Sequence, residues 1–359
     1  MKIRICALIL LISLLLFSGC QNQTDPAAGS YTPIFGESSS DPSSSEVQQE
    51  PEPQIEYALN PLTGLKDLHP DKAGNRPVAV MINNISTAWD VQTGLCAADI
   101  VYETYVEGGI TRLLAVYKDI SKAPQIGTVR SARYSYVDLA AGHDAVYIHA
   151  GYDPVYCAQR FKSVKITHFD LNGNSSSLGF RETNGKSREH TLYTTGSKLY
   201  NGLKKSIQTK SSATWFKFRD QNDPAVPGEG PCTKLSVPFS ANYVSAFEYD
   251  PQAGMYKKFQ SSTPHTDYKT GQQINVKNIL VLLCSVSYFD DNYHVKTDLS
   301  SGSGYYVSQG GYQKINWKKG NASSPFKITL QDGSELVPNA GNFWICLLDK
   351  NQSRELRIS

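Results

Sequence analysis

Three short apolar segments between residues 78 and 150 constrain this chain most. Val78-Ala79-Val80-Met81-Ile82 is apolar at every position and closes on Asn83-Asn84. Five residues are too few for a core helix, and an uninterrupted apolar run of that length reads as a strand buried on both faces. Asp99 to Val106 and Ile110 to Tyr117 are β-rich and flank Gly108-Gly109, the pattern of a β-hairpin. Ala145 to Ala150 is a third apolar strand segment, closed by Gly151. Between them, Tyr134 to His143 places Tyr136, Leu139 and Ala140 on one helical face. Asp153-Pro154 signals a helix start, with the carboxylate as cap and the proline in the first turn. Thr194 to Lys205 reads as another helix, capped by Thr194 or Thr195. Strands alternating with short helices predict a mixed sheet with helices packed on it.

From residue 232 onward the pattern changes. Leu235-Ser236-Val237, Ala246 to Tyr249, Asn278 to Val286, Gly304 to Ser308 and Asn342 to Leu348 read as strands. Turn signals recur at Asp250-Pro251, Gly310-Gly311 and Asp332-Gly333. This half predicts an antiparallel sandwich or barrel, and the Pro/Gly-rich stretch 221–231 reads as a linker. The expected fold class is therefore α+β/α/β. A mixed-sheet α/β domain spans 57–220, and a smaller, mainly antiparallel β domain spans 221–359.

The N-terminus sets the location. Lys2 and Arg4 precede an apolar run from Ile5 to Phe17, which ends in Ser18-Gly19-Cys20. A basic start, a short apolar core and small residues before the cut describe a secretory signal. A cysteine directly after Ser-Gly makes residues 1–20 a lipoprotein signal, with Cys20 the lipidated residue. Residues 21–56 are rich in Ser, Pro and Glu with little apolar content, which predicts a disordered tether. The expected location is the extracytoplasmic face of the cell membrane, held by acyl chains of the palmitate type. The expected partners are the membrane itself through that lipid, and an envelope polymer, a lipid-linked precursor or a membrane protein. A net charge of +2 argues against a nucleic-acid partner.

Recognised catalytic patterns are missing: there is no G-x-S-x-G, H-E-x-x-H, Walker loop or S-x-x-K. No cofactor is implied, and no close Cys/His spacing implies a metal. Beyond Cys20, Cys96, Cys157, Cys232, Cys284 and Cys346 remain. Five is odd, so at least one thiol is free or pairs between chains. Cys284 and Cys346 sit in apolar runs and read as buried small hydrophobes. His168 and His190 read as solvated loop residues. Ser131, between two arginines, has no adjacent base by spacing.

Polar residues concentrate between 99 and 153. Arg112 follows the hairpin turn, Arg130 and Arg133 precede a helix, and His149 ends a strand. A helix N-terminus beside guanidinium groups binds anions, because backbone N–H groups, the helix dipole and bidentate forks all favour negative charge. Arg112, Arg130, Arg133 and His149 are therefore candidates for a phosphate, pyrophosphate or carboxylate cleft. The alternative is structural pairing of these arginines with Glu103, Glu107 and Asp138. In an enzyme reading, Asp99 helps to hold a divalent cation while the arginines clamp a phosphorylated or pyrophosphoryl lipid.

Four segments carry a resemblance: Ala98 to Glu103, Val106-Glu107-Gly108-Gly109 through Val116, Gly127 to Arg133, and Asp144 to Gly151. With the Pro61-Leu62-Thr63-Gly64 entry and the segment from Pro338 to Trp344, they resemble the YerB-like lipoproteins of Gram-positive bacteria over about residues 60–350. The resemblance implies a tethered two-domain surface lipoprotein and no particular activity. Thr128 stands where that family often has Pro, and Tyr152 where Gly is common. The strand, Arg-bearing turn and Gly-closed strand are also loosely similar to the LytR-CpsA-Psr wall-polymer ligases. That similarity implies Arg- and Asp-mediated binding of a polyprenyl pyrophosphate.

Overall fold

A computed structural model describes residues 55–211 and 215–359. The signal, Cys20 and nearly all of the tether lie outside the described residues. The first half supplies strands β1 (Val78–Asn83), β2 (Ile100–Tyr105), β3 (Thr111–Tyr117), β4 (Val146–His149) and β5 (His168–Asp170). The second half supplies β6 (Lys234–Ser240), β7 (Tyr243–Asp250), β8 (Met255–Gln260), β9 (Asn278–Cys284), β10 (Ser301–Ser308), β11 (Gly311–Lys319), β12 (Phe326–Leu330) and β13 (Phe343–Asp349). The main helices are α1 (Tyr134–Ala141), α2 (Tyr156–Val164) and α3 (Gly196–Gly202).

Ten of these strands form one large sheet in the order β12-β11-β10-β9-β13-β2-β3-β1-β4-β5. β2 and β3 form the expected antiparallel hairpin, with Ile100 opposite Val116 and Thr104 opposite Arg112. Its turn needs φ near +76° at Gly108 and +69° at Gly109, a region that side chains with a Cβ rarely enter. β1 runs antiparallel to β3 and parallel to β4, and β4 runs parallel to β5. The first half is thus the mixed sheet with helices that its sequence predicts.

The second half is mainly antiparallel, and its strands are shared between two sheets rather than closed into a barrel. β13 pairs in parallel with β9 on one side and with β2 on the other, so the large sheet runs through both halves. β6, β7 and β8 form a separate antiparallel sheet with three short strands. Its Phe239, Phe247 and Tyr256 cluster with Val80, Ile82, Val101, Leu113 and Trp344 of the large sheet. On the opposite face, Tyr136, Val137 and Ala140 of α1 and Cys157 and Phe161 of α2 pack on Ala79, Met81, Leu114 and Tyr147. The large sheet is covered on both sides there. Covering from both sides is why β1 and β3 are buried at every position and why their sequences lack alternation. β6, with one face wet, alternates.

Of the three main helices only α3 opens on a side-chain cap; α1 and α2 start after Arg133 and Val155, which supply none, so Asp153 is not the cap of α2. The Thr195 hydroxyl accepts from the Lys198 N–H at 3.1 Å to open α3. The Asp153 carboxylate accepts from the N–H groups of Val155 and Cys157, at 3.1 and 2.5 Å, ahead of α2. The stretch read as a linker is partly built into the large sheet, where Gly230–Pro231 pairs with β11. All five cysteines among the described residues are free thiols, and all but Cys96 are buried.

Candidate anion-binding site

The site lies where β1 and β4 end and β3 begins. The chain from Thr128 to Ala132 is knitted between those ends. The Asn83 N–H donates to the Thr128 carbonyl at 2.9 Å and the Arg130 N–H to Met81 at 3.0 Å. The Ala150 N–H donates to Arg130 at 3.0 Å, and the Ala132 N–H to Gly151 at 2.9 Å. These bonds carry Arg130 and Arg133 to Arg112, the residue that opposes Asn83 across β1 and β3.

Arg112 is only 7 % exposed. Its Nη1 donates to the Ser131 carbonyl, and the Tyr136 hydroxyl lies 2.6 Å from its own carbonyl. Among the described residues no carboxylate forms an ion pair with it, and its Nε is buried without a hydrogen-bond partner. Burial, then the charges of Arg133 and Arg130, push the guanidinium down to about 9, which still leaves it cationic at neutral pH. The Arg130 Nε and the Tyr147 hydroxyl are likewise buried and unpartnered. Leaving such groups unmet costs about 1–3 kcal/mol each, more for charged ones. Three of them lie in one neighbourhood.

The other two arginines differ. Arg133 donates to Glu107 at 2.6 Å and to the Ala132 carbonyl at 3.0 Å. It is also the N-terminal cap residue of α1 and supplies no side-chain cap, so the positive end of that helix opens beside the guanidinium groups. Arg130 meets Glu189 at 3.2 Å on the exposed rim. Of the structural pairings weighed from sequence, only Glu107 with Arg133 forms. Asp138 holds Arg160 instead, through two bonds of 2.6 Å. Glu103 points to the opposite face of the sheet, where it accepts from Asn84, Thr111, Ser245 and Trp344.

Two of the candidate site residues fall outside the clamp. Asp99 directly precedes β2, five residues before Thr104, the partner of Arg112, and so about 17 Å along the chain. There it accepts from the Lys118 N–H at 2.6 Å and from Asn60 at 2.8 Å, and burial raises its carboxyl to about 6. His149 is adjacent to the site but is not a cationic member of it. Its Nδ1 lies 2.9 Å from the Gly151 carbonyl, which can only accept, so Nδ1 carries the proton. Its Nε2 therefore accepts from His168 Nδ1 at 2.9 Å. Burial, then the His168 charge, lowers His149 to about 4, and the ring stays neutral. Its role is to fix the Gly151 turn that holds Ala132.

Sequence reading missed Tyr147 and His168. Tyr147 lies two residues before His149 and so on the same strand face, a signal that the period of two does carry. His168 is not a solvated loop residue: it begins β5 and stacks on Phe161 at 3.9 Å. His168 is half-buried, and His190 is buried, with its Nδ1 2.8 Å from the Asn83 amide. Contact with residues distant in sequence places both, and spacing could not show it. No group of three metal-ligating side chains occurs among the described residues.

Comparison with known proteins defines the family. Residues 62–211 match the N-terminal domain, and residues 235–345 the C-terminal domain, of a protein family of unknown function, DUF3048. The chain is 30 % identical over 296 residues to "Putative lipoprotein YerB" of Bacillus subtilis strain 168, covering 79 % of this chain and 84 % of that protein. This chain belongs to the YerB-like family. The crystal structure of the YerB protein from Bacillus subtilis superposes with a TM-score of 0.71 at 26 % identity, over 84 % of this chain and 99 % of that one. In this YerB-like chain the arginine cluster falls wholly within the N-terminal family segment, while the large sheet draws strands from both. No helix among the described residues is long and apolar enough to cross a membrane.

Proposed function

We propose that this protein is a lipoprotein anchored through Cys20 on the extracytoplasmic face of the cell membrane, and that its folded body binds an anionic envelope ligand. The anchor reading rests on the signal ending in Ser18-Gly19-Cys20 and on the lipoprotein name of the YerB relative. The binding reading rests on one observation: Arg112 is buried without a counter-ion between Arg130 and Arg133, at the uncapped start of α1. A phosphoryl or carboxylate group there completes the unmet N–H donors and gains charge-assisted bonds. Membrane proteins, lipid-linked precursors and wall polymers all lie within reach of a body tethered in this way.

A binding module is favoured over an envelope enzyme. Asp99, the residue assigned to hold a cation in the enzyme reading, sits at the other end of β2, and His149 has both ring nitrogens engaged. The test is thermal unfolding with pyrophosphate, with and without Mg²⁺. The wild-type midpoint rises with pyrophosphate, and Arg130→Ala/Arg133→Ala loses most of the rise. Equal midpoints with and without pyrophosphate in the wild type refute the site.

A further inference from the structure

We infer that the anion site continues onto an aromatic shelf that takes a sugar ring, which makes the ligand class a sugar phosphate. This inference rests on the anion-binding reading above and adds the second half of the ligand to it.

Two short strands of the C-terminal family segment, Val286–Tyr288 and Val295–Thr297, form a hairpin that leans over the starts of α1 and α2. Phe289 at its tip stacks on Tyr156 at 4.0 Å and meets Tyr134 edge-on at 5.1 Å. Tyr134 directly follows Arg133, so the hairpin and the arginine cluster share a border. His294 fastens the other side, 2.5 Å from Asp291 and 3.4 Å from Asp153. Asp153 in turn follows Tyr152, whose backbone bridges to Ala132 beside the arginines.

This pinned surface leaves apolar area uncovered. Tyr152 is 42 % exposed, Val155 49 %, Tyr288 60 % and Tyr293 59 %. They make up four of the ten large hydrophobic side chains exposed among the described residues, and all lie around these two helix starts. Tyr152 packs edge to face on three rings, at 78° to His149, 78° to Phe161 and 89° to His168. An open aromatic ring with a polar tip matches the C–H face of a pyranose, whose hydroxyls remain in water. An acyl or prenyl chain requires a closed apolar groove, and these tyrosines stand open to solvent.

Charge selects what the sugar carries. Arg133 pairs with Glu107 and Arg130 with the rim Glu189, while Arg112 forms no ion pair among the described residues. A phosphoryl group brings about −1.5 to −2 charge and three acceptor oxygens, enough to serve several N–H donors at once.

Binding calorimetry on the full-length protein tests this with inorganic phosphate, glucose 6-phosphate, glucose and n-octyl phosphate. Glucose 6-phosphate is expected to bind at least about tenfold tighter than inorganic phosphate, with glucose alone weak. Tyr152→Ala/Tyr293→Ala should bring glucose 6-phosphate down to the phosphate level and leave phosphate affinity unchanged, which also shows that the variant is folded. Arg112→Met should lose both. Equal affinity for phosphate and glucose 6-phosphate in the wild type overturns the shelf and leaves the anion site standing. So does an undiminished sugar preference in the tyrosine variant, or tighter binding of n-octyl phosphate than of glucose 6-phosphate. If no phosphate probe binds the wild type, the anion-binding reading falls and takes the shelf with it.

Discussion

Replacing Glu103 by Gln removes one charge and changes one atom, yet the structure makes it costly. Glu103 on β2 is 2 % exposed and accepts four hydrogen bonds. Asn84 donates to Oε1 at 3.2 Å and Thr111 at 2.9 Å, while Ser245 donates to Oε2 at 2.5 Å and Trp344 at 3.0 Å. A Gln at 103 must turn its NH₂ toward one of these pairs. The hydroxyls of Ser245 and Thr111 can rotate to accept, but the Trp344 indole and the Asn84 amide cannot. The Asn84 amide is held in orientation because its Oδ1 accepts from Gln92 and Gln260 at 2.9 and 2.7 Å. Either rotamer sets N–H against N–H. Two orphaned donors at about 1–3 kcal/mol each give an expected loss of about 2–6 kcal/mol. The nearby cation is Lys258, fully buried, with its ammonium donating to the Phe259 carbonyl at 2.7 Å and lying 4.9 Å from the Trp344 ring. Burial lowers Lys258 to about 8, and Glu103 is the acid that opposes the shift. Urea unfolding followed by tryptophan fluorescence measures the loss directly. Lys258→Met should be near neutral, and adding it to Glu103→Gln should recover part of the deficit. A Glu103→Gln protein within about 0.5 kcal/mol of wild type refutes the reasoning, because the four donors would then have other partners.

Three further outcomes follow from the same geometry. Arg112→Met removes a buried, under-partnered cation and should leave the unliganded protein as stable as wild type or more so, as replacing buried charge often does, while abolishing the pyrophosphate-induced rise in melting midpoint; a large fall in the unliganded midpoint contradicts this. His149 and His143 are depressed to about 4 and about 3, chiefly by burial. Because their folded pKa values lie below the unfolded value near 6.5, the stability they give is complete above pH 6.5 and is lost as pH falls toward 4. At pH 5 the loss is about 2 kcal/mol per histidine, and urea midpoints that match at pH 7 and pH 5 count against it. Gly151→Ala keeps its new Cβ 3.7 Å from the Ser131 hydroxyl but at φ +77°. It should therefore cost about 1–2 kcal/mol through backbone strain alone, read as a lower midpoint with an unchanged unfolding slope.

The candidate site was legible in the sequence to the extent that local pattern fixes it. Arg112 after the Gly-Gly turn, and Arg130 and Arg133 before a helix, are local placements, and hydrogen bonding at the strand ends brings them together. Which carboxylate serves which arginine was not legible. Glu103 and Arg112 face each other's strands but opposite sides of the sheet, and only the register of β2 against β3 shows it. Asp99 was assigned a cation beside the arginines in the enzyme reading, yet the hairpin places it at the far end of β2 from Arg112.

By itself, the sequence determined the main elements of this protein. Short all-apolar runs must be strands covered on both faces, a Gly-Gly pair between β-rich runs must turn, and a basic, apolar, small-residue leader ending in Cys20 reads as a lipid anchor. These follow from contacts and chemistry within a few residues. Tertiary structure decided what covers those strands. β13 pairs with β2 of the first half as well as with β9 of its own, and the sheet of β6, β7 and β8 closes over a carboxylate from the first half. The hairpin near residue 290 reaches back to border the arginine cluster. Pairings across more than 100 residues depend on which surfaces bury one another best, and nothing local to either partner encodes them.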